Sequence, residues 1–273
     1  MEKNIILAGV PRSGSTLVCH LLGKLSNTIA LHEPLEPLKI KVNSNQEYIK
    51  FISRFINQQR EMILEQGYAI SKSAKGKIPD NHIGGLDRKT GKRVDILDGS
   101  HITVSKALSA DFLLAIKQPG MFTAMLPVLS RVFTCYATIR NPLSVLRSWN
   151  SVDMAVTNGH APAAEKFDHN LKTALMNEQD VFQRQISLLS WFFEQIDTYL
   201  PEKQIIHYED LIRTNGKTLS CITPLANELS ERLETKNNNP LYNEGMKTRL
   251  LKLLLDSDGF YWKYYSKDEL SNL

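Results

Sequence analysis

The chain has 273 residues, of which 42% are hydrophobic and 23% charged, with a formal net charge of +4 at pH 7. These are the proportions of a globular protein with a sizeable core, expected as one domain over 1–273, and they exclude a disordered or fibrous chain. The mild, dispersed positive charge suits an anionic small ligand rather than nucleic acid, three cysteines are too few for a disulfide framework, and no apolar run approaches the ~20 residues that span a bilayer.

In chain order, NIILA (4–8) reads as a short buried strand ended by Gly9, and Leu17, Leu21, Leu22 and Leu25 recur at helical spacing from Ser15 onward. TIAL (28–31) is a further apolar strand. A second helix is predicted over 45–66, with Gly67 as its stop. Residues 67–100 are polar and irregular, with DRKTGKR (87–93) as an exposed hairpin tip. DFLLAIK (111–117) and TCYATIR (134–140) are strands, separated by a short helix broken near Pro127. Asn141 caps the next helix, with Pro142 in its first turn. Residues 150–176 read as irregular, 177–200 as a long helix ended by Pro201, and QIIHYEDL (204–211) as a strand running into a loop. Cys19, Cys135 and Cys221 fall in apolar-periodic segments and are expected to be buried. Alternating strands and helices predict an α/β fold with a mainly parallel central sheet flanked by helices, and functional residues just beyond the strands' C-terminal ends.

GVPRSGST (9–16) nearly spells the phosphate loop of nucleoside triphosphate-binding proteins, but Ser15 stands where that loop keeps its lysine. The N–H groups of 12–17 can still converge on a phosphate at the positive end of the helix, helped by the hydroxyls of Ser15 and Thr16 and by Arg12. The missing lysine favours a 5′ group shorter than a triphosphate. A metal-dependent kinase needs an acidic residue after an apolar strand, and Asp98 is the one weak candidate. A second anchor follows in IRNPLSVLRS, where Arg140 ends a strand and Ser148 lies eight residues on, about two helical turns away. Arginine and hydroxyl can grip a second phosphate as a fork.

With these motifs the chain resembles the sulfotransferases that use 3′-phosphoadenosine 5′-phosphosulfate (PAPS), a P-loop-like, three-layer α/β family. PRSGSTL (11–17) resembles their 5′-phosphosulfate loop, Arg140 and Ser148 their 3′-phosphate motif, and Tyr208-Glu209-Asp210-Leu211 a motif typical after a late strand, together spanning about 4–211. The resemblance implies PAPS as donor, adenosine 3′,5′-bisphosphate as product and no metal, with the donor held by Arg12, Ser13, Gly14, Ser15, Thr16, Leu17, Arg140, Ser148 and Tyr208. In the cytosolic small-molecule branch a strand ends in Lys-Thr-His and the histidine is the base; here it ends in Lys117-Gln118-Pro119. The tyrosylprotein branch looks closer, with a similar loop, a K-x-P sequence and a glutamate soon after the first helix. That likeness implies Glu33 as general base, with Arg12 and Lys117 neutralising the bridging oxygen; His32 and Glu36 compete for the base role. No membrane anchor is evident and residues 212–273 do not match that branch. The expectation is therefore a cytoplasmic enzyme acting on a small-molecule, lipid or glycan hydroxyl, with 67–105 and 150–175 recognising the acceptor. A kinase with a variant loop and a non-catalytic nucleotide-binding protein are the alternatives. Trp149 could approach the adenine, and the aromatic run 259–265 is a lid or an interface.

Overall fold

Five apolar strands pair side by side into one sheet, all parallel. The structure, a computed structural model, describes residues 3–42 and 44–271. Its strands are β1 (Lys3–Gly9), β2 (Thr28–His32), β3 (Tyr68–Ser73), β4 (Ile83–Leu86), β5 (Arg93–Asp95), β6 (Gly99–Thr103), β7 (Leu113–Lys117), β8 (Thr134–Ile139) and β9 (Ile205–His207). The helices are α1 (Ser15–Lys24), α2 (Asn45–Glu61), α3 (Pro119–Ala124), α4 (Leu126–Leu129), α5 (Pro142–Asn150), α6 (Pro162–Glu165), α7 (His169–Asn177), α8 (Val181–Tyr199), α9 (Tyr208–Arg213), α10 (Glu244–Leu255) and α11 (Lys267–Ser271). The sheet order is β2-β7-β1-β8-β9.

Side chains alternate across the central strands and build a core on each face. Ile6 and Ala8 of β1, with Leu114 and Ile116 of β7, join the cluster formed with α2, α3, α5 and α8. Ile5, Leu7, Leu113 and Ala115 join the cluster formed with α1 and residues 206–229. The result is an α/β fold with a parallel central sheet covered by helices on both faces, as the alternation of strands and helices predicts.

This layering positions the site. The helix after β1 covers one face and the helix after β8 covers the other, although β1 and β8 are neighbours. Chains leaving adjacent parallel strands in opposite directions open a crevice beyond the strand ends. Arg12, Glu33, Lys117, Arg140 and Tyr208 all lie at or within three residues of such an end.

Several local expectations hold for physical reasons. Asn141 accepts a hydrogen bond from Ser144 N–H (3.1 Å) and Pro142 occupies the first helical position. Helix α2 closes in a π turn over 62–66, and Gly67 ends it in the left-handed region (φ 70°). Others need correction. Residues 67–105 are not irregular: β3 pairs with β6, and β4 with β5, as two small antiparallel sheets. Residues 150–176 include α6 and most of α7. Tyr208 opens a helix rather than a loop. Cys19 and Cys135 are buried, but Cys221 is exposed. The aromatic run 259–265 packs against α8: Tyr261 and Tyr265 are buried and both meet Phe193 edge-on. Trp149 is fully buried, donating from its indole N–H to the Pro11 carbonyl (2.9 Å), so it supports the glycine loop from below.

Gly9 holds φ 130° where β1 meets β8, and a Cβ there would lie 2.6 Å from the Thr138 backbone. Gly9→Ala must therefore shift the strand that carries Arg140, and an overpacked core site of this kind costs about 1–3 kcal/mol. Urea denaturation should show that loss as a lower midpoint with an unchanged slope.

Candidate active site

The loop after β1 is fixed from the inside. Ser13 Oγ contacts the Val10 carbonyl (2.7 Å), the Thr138 carbonyl (2.9 Å) and Thr138 Oγ1 (2.6 Å), and Ser13 N–H donates to the Val10 carbonyl (3.1 Å). Ser13, expected to bind the donor, thus spends its polar groups on tying the loop to β8. Gly14 has φ 93°, and a Cβ on it would come within 2.7 Å of the Tyr208 ring, so both its backbone and the aromatic neighbour demand glycine. Arg12 also lies in the left-handed region (φ 70°), as does Glu33 (φ 45°) after β2. Such non-glycine conformations cost free energy and mark residues whose direction matters.

The loop borders a cavity of about 400 Å³, whose walls include Arg12, Gly14, Ser15, Thr16, Leu17, Glu33, Lys117, Arg140 and Tyr208. Eleven site residues were expected from the sequence, and these nine come together here. Ser148 is not part of the cavity wall but touches Arg12 and acts on Tyr242, which are. It is fully buried, and its Oγ accepts from Arg12 Nε (3.3 Å), so the expected fork of Arg140 and Ser148 is spanned by a second arginine. The remaining bonds of Arg12 go to Asn81 Oδ1 (3.2 Å) and His82 Nε2 (3.4 Å). Arg140 donates to Asn237 Oδ1 (2.8 Å) and the Arg12 carbonyl (3.2 Å) and stacks 4.3 Å from the Tyr208 ring centre, while its Nη2 is buried without a hydrogen-bond partner.

A third arginine lines the cavity. Arg93, the last residue of the segment read as an exposed hairpin tip, is 4% exposed and donates to the carbonyls of Ile83 (3.1 Å) and Gly84 (3.2 Å). Burial pushes the Arg12 guanidinium down to about 10, with Arg93 and Arg140 adding to the effect. Tyr242 shows the same field from the other side. Its burial should raise the phenol, yet Arg140, Ser148 and Arg12 together bring it below its ordinary value.

At the ends of β2 and β7 the chemistry changes. Lys117 Nζ, 2% exposed, donates to Glu33 Oε1 (2.6 Å) and to His32 Nε2 (2.9 Å), and Lys72 Nζ binds Glu33 Oε2 (3.0 Å). Burial raises the Glu33 carboxyl, but the two lysines outweigh it and hold it well below the usual carboxylate range. His32 is fully buried, and burial followed by Lys117 pushes its imidazole down to about 3. With Nε2 accepting from a lysine, the ring's proton belongs on Nδ1. His32 is therefore held neutral, with Nε2 turned to Lys117, and is not part of the cavity wall. Glu36 is exposed, ion-paired with Lys39, and is not part of the cavity wall. Asp98 accepts from the Lys75 N–H (2.9 Å) beside the β3–β6 pair and is also not part of the cavity wall.

Asn81, His82, Arg93, Asn237 and Tyr242 were missed by sequence reasoning. They lie in polar stretches without periodicity or a spaced motif, so no local signal marks them. Residues 67–105 were expected to recognise an acceptor, yet Asn81 and His82 hold Arg12, and His82 Nδ1 also bonds Thr16 Oγ1 (2.9 Å).

No protein-family model and no curated protein matches the chain. Among solved structures, it is similar to the sulfotransferase STF1 from Mycobacterium tuberculosis H37Rv, with 12% identity over 93% of this chain and 76% of that one and a TM-score of 0.40. It is also similar to the sulfotransferase domain from the curacin biosynthetic pathway, with 16% identity over 100% and 97% of the two chains and a TM-score of 0.41. Likenesses this distant assign no function, and the residues of the site must do so.

His32 and His82 are both held neutral by burial and neighbouring cations, whereas histidines in the unfolded chain protonate near 6.5. The unfolded state therefore binds more protons below that pH, and each histidine should lower folding stability by about 1.4 kcal/mol per pH unit as pH falls. Denaturation compared at pH 7.5 and 5.5 should show this loss, reduced by His82→Asn.

Proposed function

We propose that the protein transfers a sulfuryl group from PAPS to a hydroxyl of a small-molecule, lipid or glycan acceptor. The observation that carries this reading is a juxtaposition at one end of the sheet. Buried arginines bonded only to neutral groups face a cavity that also holds a carboxylate 2.6 Å from a lysine. The first is a cradle for a nucleotide with separated anionic groups, and the second an acid–base pair beside it.

The 5′-phosphosulfate takes the first-turn N–H groups of α1 at Ser15, Thr16 and Leu17, with Arg12 alongside. The 3′-phosphate takes Arg140, whose unpartnered Nη2 supplies a donor, with Ser148 holding the neighbouring Arg12. Gly14 lets the Tyr208 ring close against the loop. The acceptor enters along the apolar wall of Pro119, Val156, Ala161, Pro162 and Ala163, so 150–175 serves acceptor recognition in this reading.

Glu33 takes the proton of the acceptor hydroxyl as its oxygen attacks sulfur in line. The bond from sulfur to the bridging phosphate oxygen breaks, and Arg12 and Lys117 stabilise the charge that develops there. Adenosine 3′,5′-bisphosphate and the sulfated acceptor leave. The scheme uses no metal. Glu33 is a poor base while both lysines hold it; when Lys117 turns to the leaving oxygen, the carboxylate loses its strongest counterion and its proton affinity rises. The lysine thus links donor binding to base strength.

Calorimetric titration with adenosine 3′,5′-bisphosphate, without metal, tests the donor site. Arg140→Ala should lose about ten- to a hundredfold in affinity, the worth of one charge-assisted contact. A wild-type protein that ignores this ligand but binds ATP with magnesium contradicts the proposal. Glu33→Gln should lower kcat by about 10²–10⁴-fold while changing bisphosphate affinity less than about threefold. The pH profile carries a sign. A base held below its ordinary value of 4.5 stays ionised through the mildly acidic range, so kcat/KM should fall only below that value. Lys72→Met removes one counterion and should move the acid limb upward.

A further inference from the structure

Arg93 is bound into the site by its backbone. Its N–H donates to the Ser151 carbonyl (2.8 Å), its carbonyl accepts from Asp153 N–H (3.3 Å), and it forms an isolated parallel bridge with Val152. The β4–β5 hairpin is thereby sewn to the chain just after α5, the helix that carries Ser148. Lys92 reinforces the seam, its Nζ donating to the Asn150 carbonyl (2.8 Å).

The side chain is held as firmly as the backbone. At 4% exposure it is buried, its bonds fall on Nε and Nη2, and both acceptors are carbonyls. Among the described residues, Arg12, Arg93 and Arg140 form no ion pair; their partners are Ser148, Asn81, His82, Asn237 and backbone carbonyls. A hairpin gains little by burying a guanidinium beside two others. Each such charge costs several kcal/mol in order of magnitude unless an anion offsets it. One arginine suffices for one charge-assisted contact, whereas a terminal phosphate is close to doubly charged at neutral pH and accepts several donors.

We infer that Arg93 is a further ligand of the donor's terminal phosphate, and that this hairpin residue makes the cavity select a nucleotide with phosphates at both ends over one with a 5′ phosphate alone. The inference rests on the donor site proposed above. It gives the insert at 67–105 a defined role in donor binding, in which Asn81 and His82 aim Arg12 while Arg93 adds the second charge at the terminal phosphate.

The test is a set of calorimetric titrations with two probes, adenosine 3′,5′-bisphosphate and adenosine 5′-monophosphate, on wild type, Arg93→Gln and Arg93→Lys. Wild type should prefer the bisphosphate. Arg93→Gln should lose about ten- to a hundredfold in affinity for the bisphosphate, with the monophosphate changed by less than about threefold. Arg93→Lys cannot keep the paired carbonyl bonds that hold the hairpin, but it keeps the charge, so it should recover most of the lost bisphosphate affinity. The dependence of bisphosphate binding on salt should weaken in Arg93→Gln and not in Arg93→Lys. Equal losses for both probes, or a lysine variant as poor as glutamine, overturn the inference and leave Arg93 as a hairpin anchor. A wild type that binds the two probes equally also overturns it while sparing the 5′ site. A wild type that binds neither probe removes the donor site itself, and the inference with it.

Discussion

Positive charge buried at the ends of parallel strands is the constraint around which the site is arranged. Arg12, Arg93 and Arg140 all line one cavity, and each is held by neutral groups rather than by carboxylates. Neutral partners fix a guanidinium in place without cancelling its charge, so the field stays available to a ligand. The cost is met elsewhere, by a sheet buried on both faces and by helices that cover it. Tyr242 registers the result, since its phenol is made more acidic by a field that outweighs its burial.

The carboxylate side obeys the opposite logic. Glu33 is fully compensated by Lys117 and Lys72, and its backbone N–H is tied to the Lys117 carbonyl (2.8 Å). Among the described residues the arginines at one end of the cavity therefore form no ion pair, whereas the lysines at the other are paired with a carboxylate. The first can attract an anion, whereas at the second the lysines already have a carboxylate partner. His32 keeps the lysine in register by accepting a hydrogen bond without contributing charge.

The parts legible in the sequence were those with local causes. Short apolar runs gave the parallel strands, Asn141 and Pro142 gave the start of α5, and glycine at 9 and 14 marked a loop needing unusual backbone. Residues immediately after strands were readable as site residues because parallel topology collects strand ends. What stayed hidden depends on partners distant in sequence. Ser148 lies at the expected spacing, but its hydroxyl is taken by Arg12, 136 positions away. Arg93 sits among charged residues that look solvated, and its contacts are with Ile83 and Gly84 across the hairpin and with residues 151–153, far along the chain. The two small sheets within 67–105 are held by bulged, weakly patterned strands, which carry almost no alternation to read.

Glu209, in the motif after β9, accepts from Asn141 N–H (3.1 Å), from Asn237 Nδ2 (3.2 Å) and from the Tyr265 hydroxyl (2.9 Å), and Asn237 in turn holds Arg140. The clasp on that arginine is assembled from four well-separated stretches, the last of which leaves the ribosome long after the strand that bears Arg140. The clasp is thus complete only when the last segment has docked, so the direction of the Arg140 guanidinium is a property of the finished fold and not of the strand beside it.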